Sequence, residues 1–230
     1  MAQERRISRP EDAAKKLNLT KQKLSTETKR KLSPEMQEKL DKSFLEAAKN
    51  GNASDIRRLL NRGANVNARD DDNRTAFMRT SYGGHIEACK LLIERGADIN
   101  ALDNDNWNAL TYAASEGKAE ACGFLLGKGM DAEAMDNYSR TLLMAAAYNG
   151  HAETCRLLLD KGADIEARDD YGRTALMDAA LNGHAGTCKF LLDKGANIRV
   201  IDDKGKTALD LAQFNGQTET AKLLKGREKT

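Results

Sequence analysis

The apolar residues that follow Thr174 recur at the spacing of one helical face. Leu176, Ala179 and Ala180 lie three and four positions apart, and Asn182-Gly183 then interrupts the pattern. This spacing predicts a short α-helix. Because a threonine hydroxyl can accept a hydrogen bond from an unpaired backbone N–H, we expect Thr174 to cap the start of this helix.

A second apolar face follows directly and predicts a second helix that begins near His184. Its members are Cys188, Leu191 and Leu192. Gly195 is expected to end this helix, because glycine adopts positive φ more readily than other residues. Residues 196–203 are too short and too rich in turn-forming residues for a third helix, so a turn or hairpin is the better interpretation.

This pair of helices returns every 33 residues along the chain. Three columns of residues keep the register: Gly63, Gly96, Gly129, Gly162 and Gly195; Asp70, Asp103, Asp136, Asp169 and Asp202; Cys89, Cys122, Cys155 and Cys188. A random sequence would not hold such a register, so the chain contains internal repeats. We predict an all-α repeat solenoid over residues 34–230, with units at 37–69, 70–102, 103–135, 136–168, 169–201 and 202–230.

The repeat resembles the ankyrin repeat family. Residues 174–180 correspond to the family motif T-P-L-H-x-A-A, and the family's later Gly-His and Leu-Leu-x-x-Gly-Ala positions are matched at 183–184 and 191–196. Ala175 and Met177 replace the proline and histidine of that motif, so we expect more reliance on apolar packing. The resemblance implies stacked helix–turn–helix units joined by loops like β-hairpins. It also implies that His85, His151 and His184 tie neighbouring loops together.

Charge is spread unevenly along the 230 residues. The chain carries 37 basic and 35 acidic residues, a net charge of +2. Residues 1–42 hold 12 basic and 7 acidic residues, a net of +5, which leaves the remainder with a net of −3. No apolar run is long enough to span a bilayer, and the first residues lack the apolar core of a secretory signal. A cytoplasmic location is therefore expected.

The basic segment at residues 1–33 is predicted to be a partly disordered tail ahead of the repeats. Ser33-Pro34-Glu35 has the residues of a helix start, with a serine cap and a proline in the first turn. Met36 and Leu40 follow on one face and are expected to cover the open apolar end of the stack. The alternative for residues 1–33 is a basic arm that binds a partner.

The four cysteines and three histidines raise the alternatives of a zinc site or two disulfides. Equivalent positions on stacked helices lie about 8–10 Å apart. A disulfide needs Cα atoms within roughly 7 Å, and zinc needs thiolates at about 2.3 Å. We therefore expect four buried free thiols, with no metal and no cofactor.

Residues typical of catalysis are not arranged as an active site. Glycines stand singly at helix ends rather than in a phosphate-binding loop, and the recurring aspartates belong to the repeated hairpin. No serine has the turn context of a nucleophile. The sequence therefore predicts a non-catalytic protein without catalytic residues.

Large amphipathic side chains at the hairpins and along the first helices are the candidate partner-binding residues. Tyrosine, tryptophan and arginine dominate binding hot spots, and the family resemblance points to the hairpin tips and the exposed side of each first helix. The candidates are Arg74, Arg79, Tyr82, Trp107, Tyr112, Tyr138, Arg140, Tyr148, Tyr171 and Arg173. Trp107, Tyr112, Tyr138 and Arg140 are expected to be largely exposed. The alternative is that these rings fill generic hairpin positions and stack on the next repeat.

The predicted function is binding of another protein on the concave face and hairpin tips by a monomeric, non-catalytic module. The alternative is binding of nucleic acid or another acidic surface through the basic N-terminal arm. Salt dependence separates the two, because binding driven by phosphate contacts weakens steeply with salt.

Overall fold

The computed structural model describes residues 32–228. The chain divides into two compact units, residues 1–39 and residues 40–230. Most of the predicted N-terminal tail, residues 1–31, lies outside the described residues. Within the first unit, the Ser33 hydroxyl accepts a hydrogen bond from the backbone N–H of Met36 at 3.3 Å. The predicted serine cap is therefore confirmed.

The described residues form twelve α-helices. In chain order these are α1 (Pro34–Lys49), α2 (Ala53–Asn61), α3 (Ala76–Tyr82), α4 (Ile86–Glu94), α5 (Ala109–Ser115), α6 (Ala119–Leu126), α7 (Leu142–Tyr148), α8 (Ala152–Asp160), α9 (Ala175–Leu181), α10 (Ala185–Asp193), α11 (Ala208–Phe214) and α12 (Thr218–Arg227). No strand forms within residues 32–228, and the hairpins hold only isolated antiparallel bridges such as the one joining Met135 and Thr141. The predicted all-α repeat architecture is confirmed.

Helix α1 is much longer than the other first helices, as the helix start at Ser33-Pro34-Glu35 predicted. Leu40, Phe44 and Leu45 are buried, whereas Met36 is 57% exposed. The prediction that Met36 belongs to an apolar cover is wrong, because this residue lies in the first turn of α1, ahead of the buried stretch.

Side-chain caps begin most of the short first helices. The side chains of Thr75, Asn108, Thr141 and Thr207 each accept a hydrogen bond from the backbone N–H three residues later. Thr174 makes no such bond with any described residue, so its predicted cap is wrong. Helix α9 nevertheless begins at the expected residue, because burial of its apolar face stabilises a short helix more than its cap does.

The helices pack in two rows. The first helices α3, α5, α7, α9 and α11 pack on one another in sequence, and each packs on the second helix of its own unit. The core lies between the rows, where Leu125, Leu158 and Leu191 are fully buried. All four cysteines are free and buried in this core, as predicted.

Thiol labelling of the folded protein is expected to be slow. Burial raises the pKa of the Cys89 thiol, and it raises the pKa of Cys122, Cys155 and Cys188 to about 12. Because the thiolate is the reactive species, an aromatic disulfide reagent should react slowly in buffer and rapidly in denaturant. Absorbance of the released thiolate measures both rates. Rapid reaction of four equivalents in buffer would contradict the core assignment.

Two of the three histidines make the predicted ties between neighbouring loops. Nε2 of His151 lies 3.0 Å from the carbonyl oxygen of Ser115, and Nε2 of His184 lies 3.0 Å from that of Tyr148. Since a carbonyl only accepts, Nε2 carries the proton in both rings. Gly150 has φ +79°, and a Cβ added there would overlap the His184 ring. Glycine is thus required at this contact.

Candidate functional site

A buried or partly buried carboxylate shapes each hairpin. In the hairpin of unit four, Oδ1 of Asp136 accepts hydrogen bonds from the backbone N–H groups of Tyr138 at 2.8 Å and Arg140 at 3.0 Å. The equivalent aspartates of four other hairpins, Asp70, Asp103, Asp169 and Asp202, accept the same pair of backbone bonds. These carboxylates therefore fix the loops that present the candidate residues.

Arginine side chains donate hydrogen bonds to several of these carboxylates. Nε of Arg74, Arg140 and Arg173 donates to Oδ2 of the aspartate four residues earlier, at 2.9, 2.7 and 3.1 Å. Burial by itself raises the pKa of Asp70 and Asp136, but hydrogen bonds from the neighbouring backbone and guanidinium groups hold the pKa of both below its usual value. Both aspartates therefore stay ionised at neutral pH. Arg79 reaches Asp70 as well.

Two half-exposed tyrosines and two partly buried arginines lie together in units four and five. The rings of Tyr138 and Tyr171 stack with centroids 6.5 Å apart, and these residues are 49% and 51% exposed. The guanidinium of Arg140 lies 5.8 Å from the Tyr138 centroid, and that of Arg173 lies 5.0 Å from the Tyr171 centroid. We call these four residues the Tyr–Arg ladder.

The aromatic residues of units two and three form a second cluster that is less exposed than predicted. Trp107 and Tyr112 meet edge to face at 5.2 Å, and Tyr82 meets Tyr112 at 6.1 Å. The Tyr112 hydroxyl donates to Oδ2 of Asp103 at 2.6 Å. Burial, followed by this hydrogen bond, raises the pKa of Tyr112.

The expectation of large exposure holds for Tyr138 but not for Trp107, Tyr112 and Arg140, which are partly buried. The physical reason is that each of the three bonds a hairpin carboxylate. Trp107 Nε1 donates to Oδ2 of Asp136 in the next unit at 3.4 Å. Tyr82 and Tyr148 are exposed at the ends of their helices.

The repeats also match a known family. The protein-family model described as ankyrin repeats (3 copies) matches residues 44–136, 96–169, 124–202 and 143–230. The chain belongs to the ankyrin repeat family. No curated protein was found to match it. Ankyrin repeats are generally protein–protein interaction modules and are typically non-catalytic. None of the helices within residues 32–228 is long and apolar enough to cross a membrane.

A cavity of about 210 Å³ opens on the first-helix face of ankyrin units three to five, beside Trp107. Trp107, Asp136, Tyr148 and Asp178 are among its lining residues. Asp178 belongs to α9 and is only 1% exposed, and burial raises the pKa of its carboxyl to about 7. Our sequence reasoning missed this residue.

A signal for Asp178 was present in the repeat column that contains it. The equivalent positions are Arg79, Tyr112, Ala145 and Leu211. A carboxylate among cationic, aromatic and apolar side chains is unusual on a helix face that packs against its neighbours. That contrast distinguishes Asp178 from the equivalent residues of the other units.

Proposed function

We propose that this chain is a non-catalytic interaction module that binds a partner protein across the hairpin tips and the concave face formed by its first helices. The observation that supports this most strongly is the Tyr–Arg ladder. Its rings are half exposed, and its cations are held in place by buried carboxylates. Tyrosine and arginine are the residue types that contribute most to binding energy at protein interfaces.

The ladder is fixed before any partner arrives. Arg140 and Arg173 are each anchored by hydrogen bonds to the hairpin aspartate and lie beside a tyrosine ring. Ordering a free side chain at an interface costs about 0.5–1.5 kcal/mol, so anchored side chains bind with a smaller entropy loss. Both arginine side chains remain partly accessible, so a partner can contact them together with the tyrosine rings.

The alternative of nucleic-acid binding through residues 1–33 falls almost entirely outside the described residues. It stays a prediction, and salt dependence of binding remains its test.

Removing the ladder rings is expected to weaken partner capture strongly while leaving the fold intact. The double substitution Tyr138→Ala with Tyr171→Ala should weaken capture at least about tenfold, because hot-spot side chains contribute about 2 kcal/mol or more each. Its effect on unfolding should be small, since each change at an exposed site moves stability by about 0.5 kcal/mol or less. The measurement is affinity capture with the immobilised chain, quantified by mass spectrometry, alongside urea unfolding.

Two control variants separate binding from folding. Arg156→Ala alters an exposed second-helix residue away from the ladder and should leave capture unchanged. Leu158→Ala removes a fully buried side chain and should cost about 2–5 kcal/mol. A partner captured equally by the wild type and by the ladder variant would refute the proposed surface. If the ladder variant were as unstable as Leu158→Ala, the rings would have a structural role instead of a binding role.

A further inference from the structure

The cavity beside Ala145 exists because one repeat column changes from large side chains to a small one. At the equivalent positions in units two and three, Arg79 and Tyr112 fold back onto the hairpin carboxylates of their own units. The methyl group of Ala145 cannot reach Asp136 in the same way. The space above Asp136 and Arg140 is therefore left open, and it forms the cavity of about 210 Å³.

The charges around Asp178, which lines this cavity, are not balanced. Three carboxylates, those of Asp136, Asp169 and Asp178, face two guanidinium groups. Arg140 is committed to Asp136 through Nε and Nη2, both at 2.7 Å. Arg173 is committed to Asp169 through Nε at 3.1 Å and Nη2 at 2.9 Å. With Asp178 ionised, this group of five side chains carries a net charge of −1.

Asp178 is the carboxylate that lacks a full partner. Nη1 of Arg173 lies 3.8 Å from its Oδ1, which is longer than a hydrogen bond. Oδ1 is buried and has no hydrogen-bond partner among the described residues. Leaving such an oxygen unsatisfied costs about 1–3 kcal/mol, and more when the group is charged. Because Asp178 lines the cavity, a cationic donor there would lie beside this carboxylate and lower the cost of its buried charge.

The other walls of the cavity suit a planar cation. Trp107 and Tyr148 line it together with Asp178. A guanidinium stacks on aromatic faces and offers paired N–H donors that match a carboxylate, whereas an ammonium is a compact and strongly hydrated charge. The aromatic and acidic walls therefore favour arginine over lysine.

We propose that this cavity binds the guanidinium group of an arginine side chain presented by the partner protein, with Asp178 as its carboxylate and Trp107 and Tyr148 as its walls. This inference rests on the proposed function, because it specifies the chemistry of a partner that binds the same face. It also explains why the array retains an unsatisfied carboxylate in its packed first-helix row.

Binding of the cation should strengthen as the pH rises through neutrality. The charged groups facing Asp178 are Arg173, Asp169, Arg140 and Asp136. On the helices packed against α9, the titratable residue of α7 is Tyr148, and that of α11 is Asp210, which accepts a hydrogen bond from the backbone N–H of Thr207; α10 carries Cys188, Lys189 and Asp193. Only the ionised form of Asp178 attracts a cation, and its pKa in the free protein is about 7. Affinity should therefore fall between pH 8 and pH 6.

The test is titration of the full chain with butylguanidinium, which reproduces an arginine side chain. Trp107 is the only tryptophan of the chain, so its fluorescence reports on this cavity. At constant ionic strength we expect a saturable change with a Kd on the order of millimolar, as befits so small a ligand. Butylammonium should bind several-fold more weakly, and neutral butylurea should give no saturable response.

Two variants and a control decide the outcome. Asp178→Asn keeps the shape of the side chain and should weaken butylguanidinium binding at least tenfold. Ala145→Tyr places in the cavity the residue type that the chain already carries at Tyr112, and it should block binding. Asp105→Ala removes an exposed carboxylate and should change nothing. Thermal unfolding checks each variant, and if Ala145→Tyr fails to fold, the isosteric Asp178→Asn decides alone.

Equal binding by the wild type and Asp178→Asn, or an equal response to butylurea, would overturn the arginine site. If partner capture still depended on the Tyr–Arg ladder, the proposed function would stand without it. Saturable butylguanidinium binding with no protein captured would overturn the assignment of this cation to a partner protein.

Discussion

Replacing Asp136 with alanine is expected to destabilise the protein by about 3–4 kcal/mol. Its side chain accepts two backbone N–H bonds and pairs with the Arg140 guanidinium, and it is 2% exposed. Removing one member of a buried ion pair costs about 3–5 kcal/mol, because the other charge and its donors lose their partner. The lower part of that range applies, since Arg140 remains one-third exposed and can be hydrated.

Urea unfolding at pH 7 measures this loss, with Asp105→Ala as the matched control. Asp105 is exposed on the preceding hairpin, and its replacement should change the free energy of unfolding by less than about 0.5 kcal/mol. The pKa of Asp136 is depressed in the folded state, so its contribution is present above the unfolded value of 3.8 and is lost as the pH falls below it. Equal stabilities of the two variants at pH 7 would show that the carboxylate does not hold the hairpin.

Replacing Asp178 with asparagine is expected to have the opposite effect and to stabilise the protein by about 2–4 kcal/mol at pH 8. Burial raises the pKa of this carboxyl from 3.8 to about 7. The folded state thus binds a proton that the unfolded state has lost, and wild-type stability falls as the pH rises from about 4 to about 7. Above that range the folded protein carries the full cost of a buried, incompletely paired charge.

Unfolding of wild type and Asp178→Asn should be compared at pH 8 and at pH 4.5. The gain should be largest at pH 8 and should shrink markedly at the lower pH, where the wild-type carboxyl is protonated in the fold. Asp105→Asn should give no gain at either pH. A less stable Asp178→Asn at pH 8 would mean that Arg173 stabilises the ionised carboxylate fully.

A residue that destabilises the free protein and contributes to a binding cavity fits a general pattern. Functional sites commonly retain groups that are unfavourable for folding, so stabilising substitutions there often reduce activity. The two expected effects of Asp178→Asn, greater stability and weaker cation binding, are measured on the same variant. Together they distinguish a retained functional carboxylate from one with no role.

The period of 33 residues determined most of the architecture that could be predicted. It located both helices of each unit and the buried cysteines, because each of these depends on a backbone geometry that recurs, whereas the histidine ties were implied by the resemblance to the ankyrin repeat family. It also placed the equivalent residues of neighbouring units side by side. The stacked rings of Tyr138 and Tyr171 are the direct result, since they are 33 positions apart.

What could not be predicted depends on how far each side chain reaches. Trp107 is half buried because its indole extends to Asp136 in the next unit, which no spacing within one unit reveals. The cavity depends on Ala145 being short while Trp107 and Tyr148 are large. A repeat column shows which residues are neighbours, but not whether their combined volumes fill the space between them.

The cavity is built from three consecutive units, and this has an evolutionary consequence. Trp107 comes from unit three, Ala145 from unit four and Asp178 from unit five. Repeat arrays gain and lose whole units by in-frame duplication and deletion, because each unit packs only on its neighbours. Deletion of unit four would place Tyr112 next to Asp178, preserving a continuous core while removing Ala145 and the opening beside it. A single recombination event could therefore change the ligand specificity of this lineage without altering its fold.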